Sequence, residues 1–191
     1  MGGRGSSSNM GGRGGSSGMQ GKGGGGGNLS DIESKIRDDS VETAALIGPD
    51  GTVLFDKSDG LPGAVYFTKE EVSMMKNGIL THNHPSGTTF SPEDVSMAVN
   101  SGLKEIRAVH SNGVYSLTRQ FDVGGTVPSK YLNFSSHYEK AANDYMRNTV
   151  DAIYSKTGDA DRCNKMVADF RRQWLKENSA SYGWTYKESG R

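Results

Sequence analysis

The chain has 191 residues, and its 22 lysines and arginines are balanced by 22 aspartates and glutamates, so no global charge draws it to nucleic acid or anionic membrane. Its one cysteine, Cys163, excludes an internal disulfide framework and a cysteine-based zinc cluster, and fits a reducing compartment. No apolar run approaches the ~20 residues that cross a bilayer, and no signal-peptide core stands at the start, so a soluble cytoplasmic protein with no membrane partner is expected.

Residues 1–28 are a glycine-, serine- and arginine-rich segment that lacks the apolar surface to offset its backbone entropy, and a disordered tail is expected there. Its charges, Arg4, Arg13 and Lys22, are all positive, but no aromatic residue is interleaved for base stacking, so nucleic acid is not an expected partner. Residues 31–39 read as a short polar helix or lead-in. Residues 41–47 and 52–56 read as a hairpin around Gly48-Pro49-Asp50-Gly51. Val65-Tyr66-Phe67 reads as a short strand or an extended entry to the helix that Thr68 and Glu71 open as a capping box. Next comes a strand over residues 78–84, a loop, and a helix that starts at Ser91 with Val95, Val99 and Leu103 on its apolar stripe. Residues 104–110 and 114–118 form a second hairpin across Ser111-Asn112-Gly113. Further on, residues 136–154 and 160–178 read as two helices. The second carries Met166, Val167, Phe170, Trp174 and Leu175 on one side, with Arg162, Lys165, Arg171, Arg172 and Lys176 read as a solvated face. The aromatic stretch 181–186 is expected to form a short strand or to pack back.

The stretch that carries chemistry is Thr81-His82-Asn83-His84-Pro85-Ser86-Gly87, followed by Phe90-Ser91-Pro92-Glu93-Asp94. On a strand, His82 and His84 project from the same face. Two imidazoles on one edge, joined by a carboxylate from the next element, can hold zinc, and three protein ligands leave a position for water. Asp94 is the third ligand this spacing offers, because the loop can turn the chain back to the Ser91 helix. The same residues also make a capped helix without any metal: serine at the N-cap, proline next, and an acid at the third position. His110 and His137 lack the spacing of ligands, and Asn83 and Ser86 read as residues that shape the loop.

The His-x-His-Pro string with its later Ser-x-x-Asp resembles the JAB/MPN/JAMM metalloprotease motif, and His-Asn-His-Pro-Ser-Gly is most similar in wording to RadC-like and phage-encoded JAB-like proteins. The resemblance covers about residues 36–120. It implies an α/β fold with a JAB/MPN (cytidine deaminase-like) mixed sheet flanked by helices, here with a C-terminal helical hairpin. The implied domains are a tail over 1–28, a catalytic domain over 29–130 and a helical extension over 131–191. It implies a Zn2+ cofactor held by His82, His84 and Asp94. The family's upstream glutamate is a general base, and Glu42 matches its place, with Glu33 and Asp39 as rivals. Ser91 is implied either as a donor to the oxyanion or only as the cap of its helix. The implied activity is a metallopeptidase or isopeptidase acting on a protein or peptide substrate, in a bacterial or phage-infected cell. The alternative is a non-catalytic interaction or phage morphogenesis module of the same fold. A nucleic-acid-processing role finds no basic face to support it.

Overall fold

The computed structural model describes residues 28–124 and 127–190. The expected tail lies outside them except for Asn28, whose side chain caps the first helix, α1 (Leu29–Ile36). After α1 come β1 (Thr43–Ile47), β2 (Val53–Ser58), α2 (Lys69–Met74), β3 (Ile79–Asn83), α3 (Pro92–Asn100), β4 (Glu105–His110) and β5 (Gly113–Arg119). Four helices, α4 (Ser129–Leu132), α5 (Phe134–Tyr145), α6 (Asp151–Thr157) and α7 (Ala160–Asn178), precede the last strand, β6 (Trp184–Gly190). The strands form one six-stranded sheet in the order β2-β1-β3-β4-β5-β6. All neighbours are antiparallel except β3 and β4, which run parallel with α3 as their crossover. The fold is therefore α/β, with a mixed sheet and flanking helices. No helix among the described residues is long and apolar enough to cross a membrane.

Burial follows position in the sheet. Thr-Ala-Ala-Leu-Ile in β1 and Ile-Leu-Thr-His-Asn in β3 lie between neighbours and are buried almost throughout, as near-continuous apolar strands are. β2 lies at an edge and is half exposed. Gly78 lets β3 come close to β1, because a Cβ there would stand 2.8 Å from the Ile47 carbonyl oxygen. The main core joins Leu80, Phe90, Val95, Ile106 and Leu117 to Phe134, Tyr138, Leu175 and Trp184. Hydrophobic packing thus runs continuously across position 130, and β6 shares the sheet that holds the histidines.

Two local expectations are corrected, and one left open is decided. The first strand begins at Thr43 rather than at residue 41, because the Asn83 side chain takes up the Thr43 N–H and the Val41 carbonyl in place of ladder bonds. Residues 65–67 take the second of their two expected forms: after an isolated Leu61–Ala64 bridge they form no strand and serve as the entry to the Thr68 cap. The helix expected over 136–154 begins at Phe134 and passes through a π-helical turn, Met146–Val150, before α6 ends at Gly158 in a left-handed conformation. α7 matches its expected bounds, with Asp159 as cap, and packs on α5 through the stacked rings of Tyr145 and Phe170. Of the aromatic stretch 181–186, Ser181 and Tyr182 end a 3-10 turn, and the strand begins at Trp184 and continues to Gly190.

α1 is fastened to the sheet by charge. Glu33, 5% exposed, accepts from Arg107 Nε on β4 at 2.5 Å and from the Thr81 hydroxyl at 3.2 Å. Arg107 also reaches Glu105 at 2.6 Å. Removing one partner of a buried pair costs about 3–5 kcal/mol, and Arg107 would keep Glu105, so Glu33→Ala is expected to lower the unfolding free energy by about 2 kcal/mol. Urea denaturation checks this against the exposed Lys35→Ala control. Equal stability of the two variants would remove the ion pair from the account.

Candidate metal centre

Sheet register sets the site. Ala44 on β1 faces His82 on β3, and Glu42, just before β1, brings its carboxylate towards His84, just after β3. On the other side His82 pairs with Ala108 of β4, whose small side chain leaves the ring space. Beyond the carboxyl end of β3 the chain turns at Gly87, which has φ +70° and whose N–H bonds to the His84 carbonyl at 2.9 Å, and it re-enters as α3. The site lies in the crevice between that strand end and the start of the crossover helix, where open α/β sheets place their ligands.

The Nε2 atoms of His82 and His84 stand 2.8 Å apart. Asp94 Oδ1 is 3.3 Å from His82 Nε2, and its Oδ2 is 3.6 Å from His84 Nε2. Three ligand atoms, one from each residue, lie within 4.8 Å of one another. The tautomer of His84 is fixed from outside, because Nδ1 faces the Thr88 carbonyl at 2.7 Å and must donate to it, which leaves Nε2 as the free base. His82 Nδ1 is buried without a hydrogen bond of normal geometry, and the nearby backbone of Arg107 favours its protonated form. Two imidazole nitrogens and a carboxylate oxygen are a donor set that suits a divalent first-row metal. The group is close enough to hold such an ion.

Asp94 serves as ligand candidate and cap at once. The Ser91 N–H donates to Asp94 Oδ2 at 2.7 Å, and the Asp94 N–H donates to Ser91 Oγ at 3.1 Å, a complete capping box. Burial pushes the Asp94 carboxyl up, but the two imidazoles and the cap outweigh it and hold Asp94 well below the usual carboxylate range. Burial pushes His82 down, yet Asp94 and Glu42 prevail and raise it above 6.5. His84 is lowered by burial and by the charge on His82. A metal ion competes with the proton for His82, so uptake weakens as pH falls through the raised value, by about tenfold per unit below it. Competition between the full chain and a fluorescent chelator for Zn2+, from about pH 8 down to pH 6, checks this, and a flat affinity profile would count against the assigned ligands.

Of the upstream acids, the structure brings Glu42 to the group. Its Oε1 lies 3.9 Å from His84 Nε2, and its side chain is 14% exposed. Glu33 is taken up by Arg107, and Asp39 accepts from the Thr43 hydroxyl. Asn83, between the two histidines, holds the segment that bears Glu42: its Oδ1 accepts from Thr43 N–H at 2.7 Å, and its Nδ2 donates to the Asp39 and Val41 carbonyls at 3.0 Å. Burial raises the Glu42 carboxyl, the His82 charge opposes that, and Asp94 adds to it; the net shift is upward. His110 instead stacks on Tyr115, and His137 bonds to the Tyr182 hydroxyl, both apart from the group.

A cleft of about 660 Å³ opens over these residues, with Val65, Phe67, Leu80 and Met97 among its apolar walls. Its lining also includes Arg171 of α7, read from sequence as part of a solvated face. The signal was present: Val167, Phe170, Arg171, Trp174 and Leu175 follow the spacing of one buried stripe, with arginine in its middle. The Thr88 carbonyl, a backbone group, left no mark in the sequence. Compared with family models, curated proteins and solved structures, the chain matches none of them.

Proposed function

We propose that this cleft is the active site of a zinc-dependent hydrolase of JAB/MPN type, which cleaves a peptide or isopeptide bond in a protein or peptide substrate. The observation that carries this reading is Glu42: a half-buried carboxylate with a raised pKa, on a segment that Asn83 holds through Thr43 and Val41, 3.9 Å from Nε2 of His84, yet not one of the three candidate ligands. His82 and His84 through Nε2 and Asp94 through its carboxylate would hold Zn2+. When bound, the ion supplies Lewis-acid polarisation of a carbonyl and activation of water. Glu42 takes up a proton as general base and returns it to the leaving nitrogen as general acid, and its raised pKa brings it nearer the working pH. Ser91 Oγ accepts from the Asp94 N–H, which leaves its own hydroxyl proton to donate to the oxyanion that develops on the substrate carbonyl.

The test uses the full chain with one equivalent of zinc, internally quenched peptides, and a peptide joined to lysine through its side-chain nitrogen. Cleavage that a chelator stops and added zinc restores is the expected result. If the zinc-loaded chain cleaves none of them, the hydrolase reading fails and a non-catalytic interaction module takes its place.

A further inference from the structure

α7 contributes one side chain to the cleft, and its chemistry differs from everything else there. Arg171 lines the same cavity as His82, His84, Asp94 and Glu42 and is, among the described residues, the only lysine or arginine in the lining. Its Nε is buried and has no hydrogen-bond partner. Among the described residues no carboxylate comes within ion-pairing distance of its guanidinium, although Glu93 lines the same cleft. The next residue, Arg172, behaves as a surface arginine should, reaching Asp169 at 3.6 Å and Glu188 at 4.0 Å.

The neighbourhood of Arg171 is well defined. Its charge bears on the buried Tyr138 hydroxyl, as do the charges of Asp94 and Glu93. That hydroxyl donates to the Phe90 carbonyl at 2.7 Å, one residue before the Ser91 cap. Arg171 therefore shares the cleft with the start of α3, where the capping Ser91, Glu93 and Asp94 also contribute to the lining. A guanidinium is a planar fork of donors that matches a carboxylate in two parallel hydrogen bonds, and the buried Nε of Arg171 gains a partner only if a ligand in the cleft supplies the acceptor. Shielding from water strengthens such a contact.

We infer that Arg171 is a specificity residue that receives a carboxylate of the substrate, so that the cleft selects acidic peptides. This rests on the hydrolase reading for the word substrate. The carboxylate comes from an Asp or Glu side chain near the scissile bond or from the α-carboxylate of a C-terminal residue. The guanidinium contacts are the same in both cases.

The probes are three fluorescently labelled tetrapeptides of one backbone: one with a glutamate and an amidated C-terminus, one with glutamine and a free C-terminus, and one with glutamine and an amidated C-terminus. Their equilibrium binding to the full chain is measured by fluorescence polarisation, with and without one equivalent of zinc. At least one carboxylate-bearing peptide is expected to bind about tenfold or more tightly than the neutral one, as a charged hydrogen-bonding pair provides. Which of the two gains identifies the source of the carboxylate. Arg171→Gln abolishes that difference while leaving the neutral peptide's affinity unchanged, and Arg171→Lys restores part of it. A merely structural role for Arg171 would instead move all three affinities together. Equal binding of the three peptides to the wild-type chain, or a preference that survives Arg171→Gln, overturns the inference. Because binding is read apart from turnover, absence of hydrolysis leaves this result standing, and absence of acid preference leaves the hydrolase reading standing.

Discussion

Glu42→Gln is expected to lower kcat by about 10²–10⁴-fold, the range that positioned general acid–base groups contribute, while the chain still binds one zinc. The separation of the two readouts follows from the geometry. Glu42 lies outside the group of His82, His84 and Asp94, and its contact with His84 Nε2 is long, at 3.9 Å. Glutamine keeps the size of the side chain and cannot take up a proton. The backbone that carries it is fixed through Thr43 and Val41 by Asn83, not by the carboxylate, so the substitution leaves the start of β1 in place. Turnover and metal content are measured on the same preparation. Full activity in the glutamine variant would show that the proton transfers belong to another group, and loss of zinc would make Glu42 a ligand.

The double variant His82→Ala/His84→Ala is expected to take zinc content from about one per chain to none, since a lone carboxylate is no substitute for a three-ligand site. Asp94 keeps both hydrogen bonds of its capping box, so α3 still starts at Ser91 and the variant remains a fair folded control. Elemental analysis after dialysis against zinc gives the answer, with far-ultraviolet circular dichroism to confirm the fold. Retention of one zinc per chain in the double variant would place the metal elsewhere.

Much of the site was legible because its signals are local. Two histidines at strand spacing, a turn and a capping serine lie within a short stretch, and hydrogen bonding between near neighbours is what sequence patterns record. The structure adds that capped helix and ligand set are compatible, since Asp94 accepts from Ser91 while facing both imidazoles. Tertiary contacts were less legible. Asn83 was read as shaping its loop, but its reach to the segment bearing Glu42 depends on the pairing of β1 with β3. Arg171 carries two conflicting signals, a charge like that of Arg172 beside it and a spacing that puts it in the apolar stripe, and only the packing of α7 decides between them. The π-helical turn at Met146–Val150 was missed because a one-residue insertion in a helix that carries only a partial apolar stripe is not set apart from the ordinary 3.6-residue pattern. β6 was half visible: Trp184 and Tyr186 announce a strand, whereas Lys187-Glu188-Ser189-Gly190 reads as polar coil until β5 gives it hydrogen-bond partners.

The pairing of Arg119 with Trp184, and of Gly113 with Gly190, has a bearing on how the protein is made. β5 leaves the ribosome with β4 on one side and nothing on the other, and its proper partner follows only after α4 to α7 have been synthesised. At ~5–20 residues per second the delay is on the order of several seconds. During that interval β5 presents an open row of N–H and C=O groups, a template on which a second nascent chain can pair. Phe134, Tyr138 and Leu175 wait as well, because the Trp184 ring that packs against them arrives with the same strand. Slow translation of the 120–183 segment would lengthen the exposure of that edge, and chaperone capture during synthesis would be concentrated there.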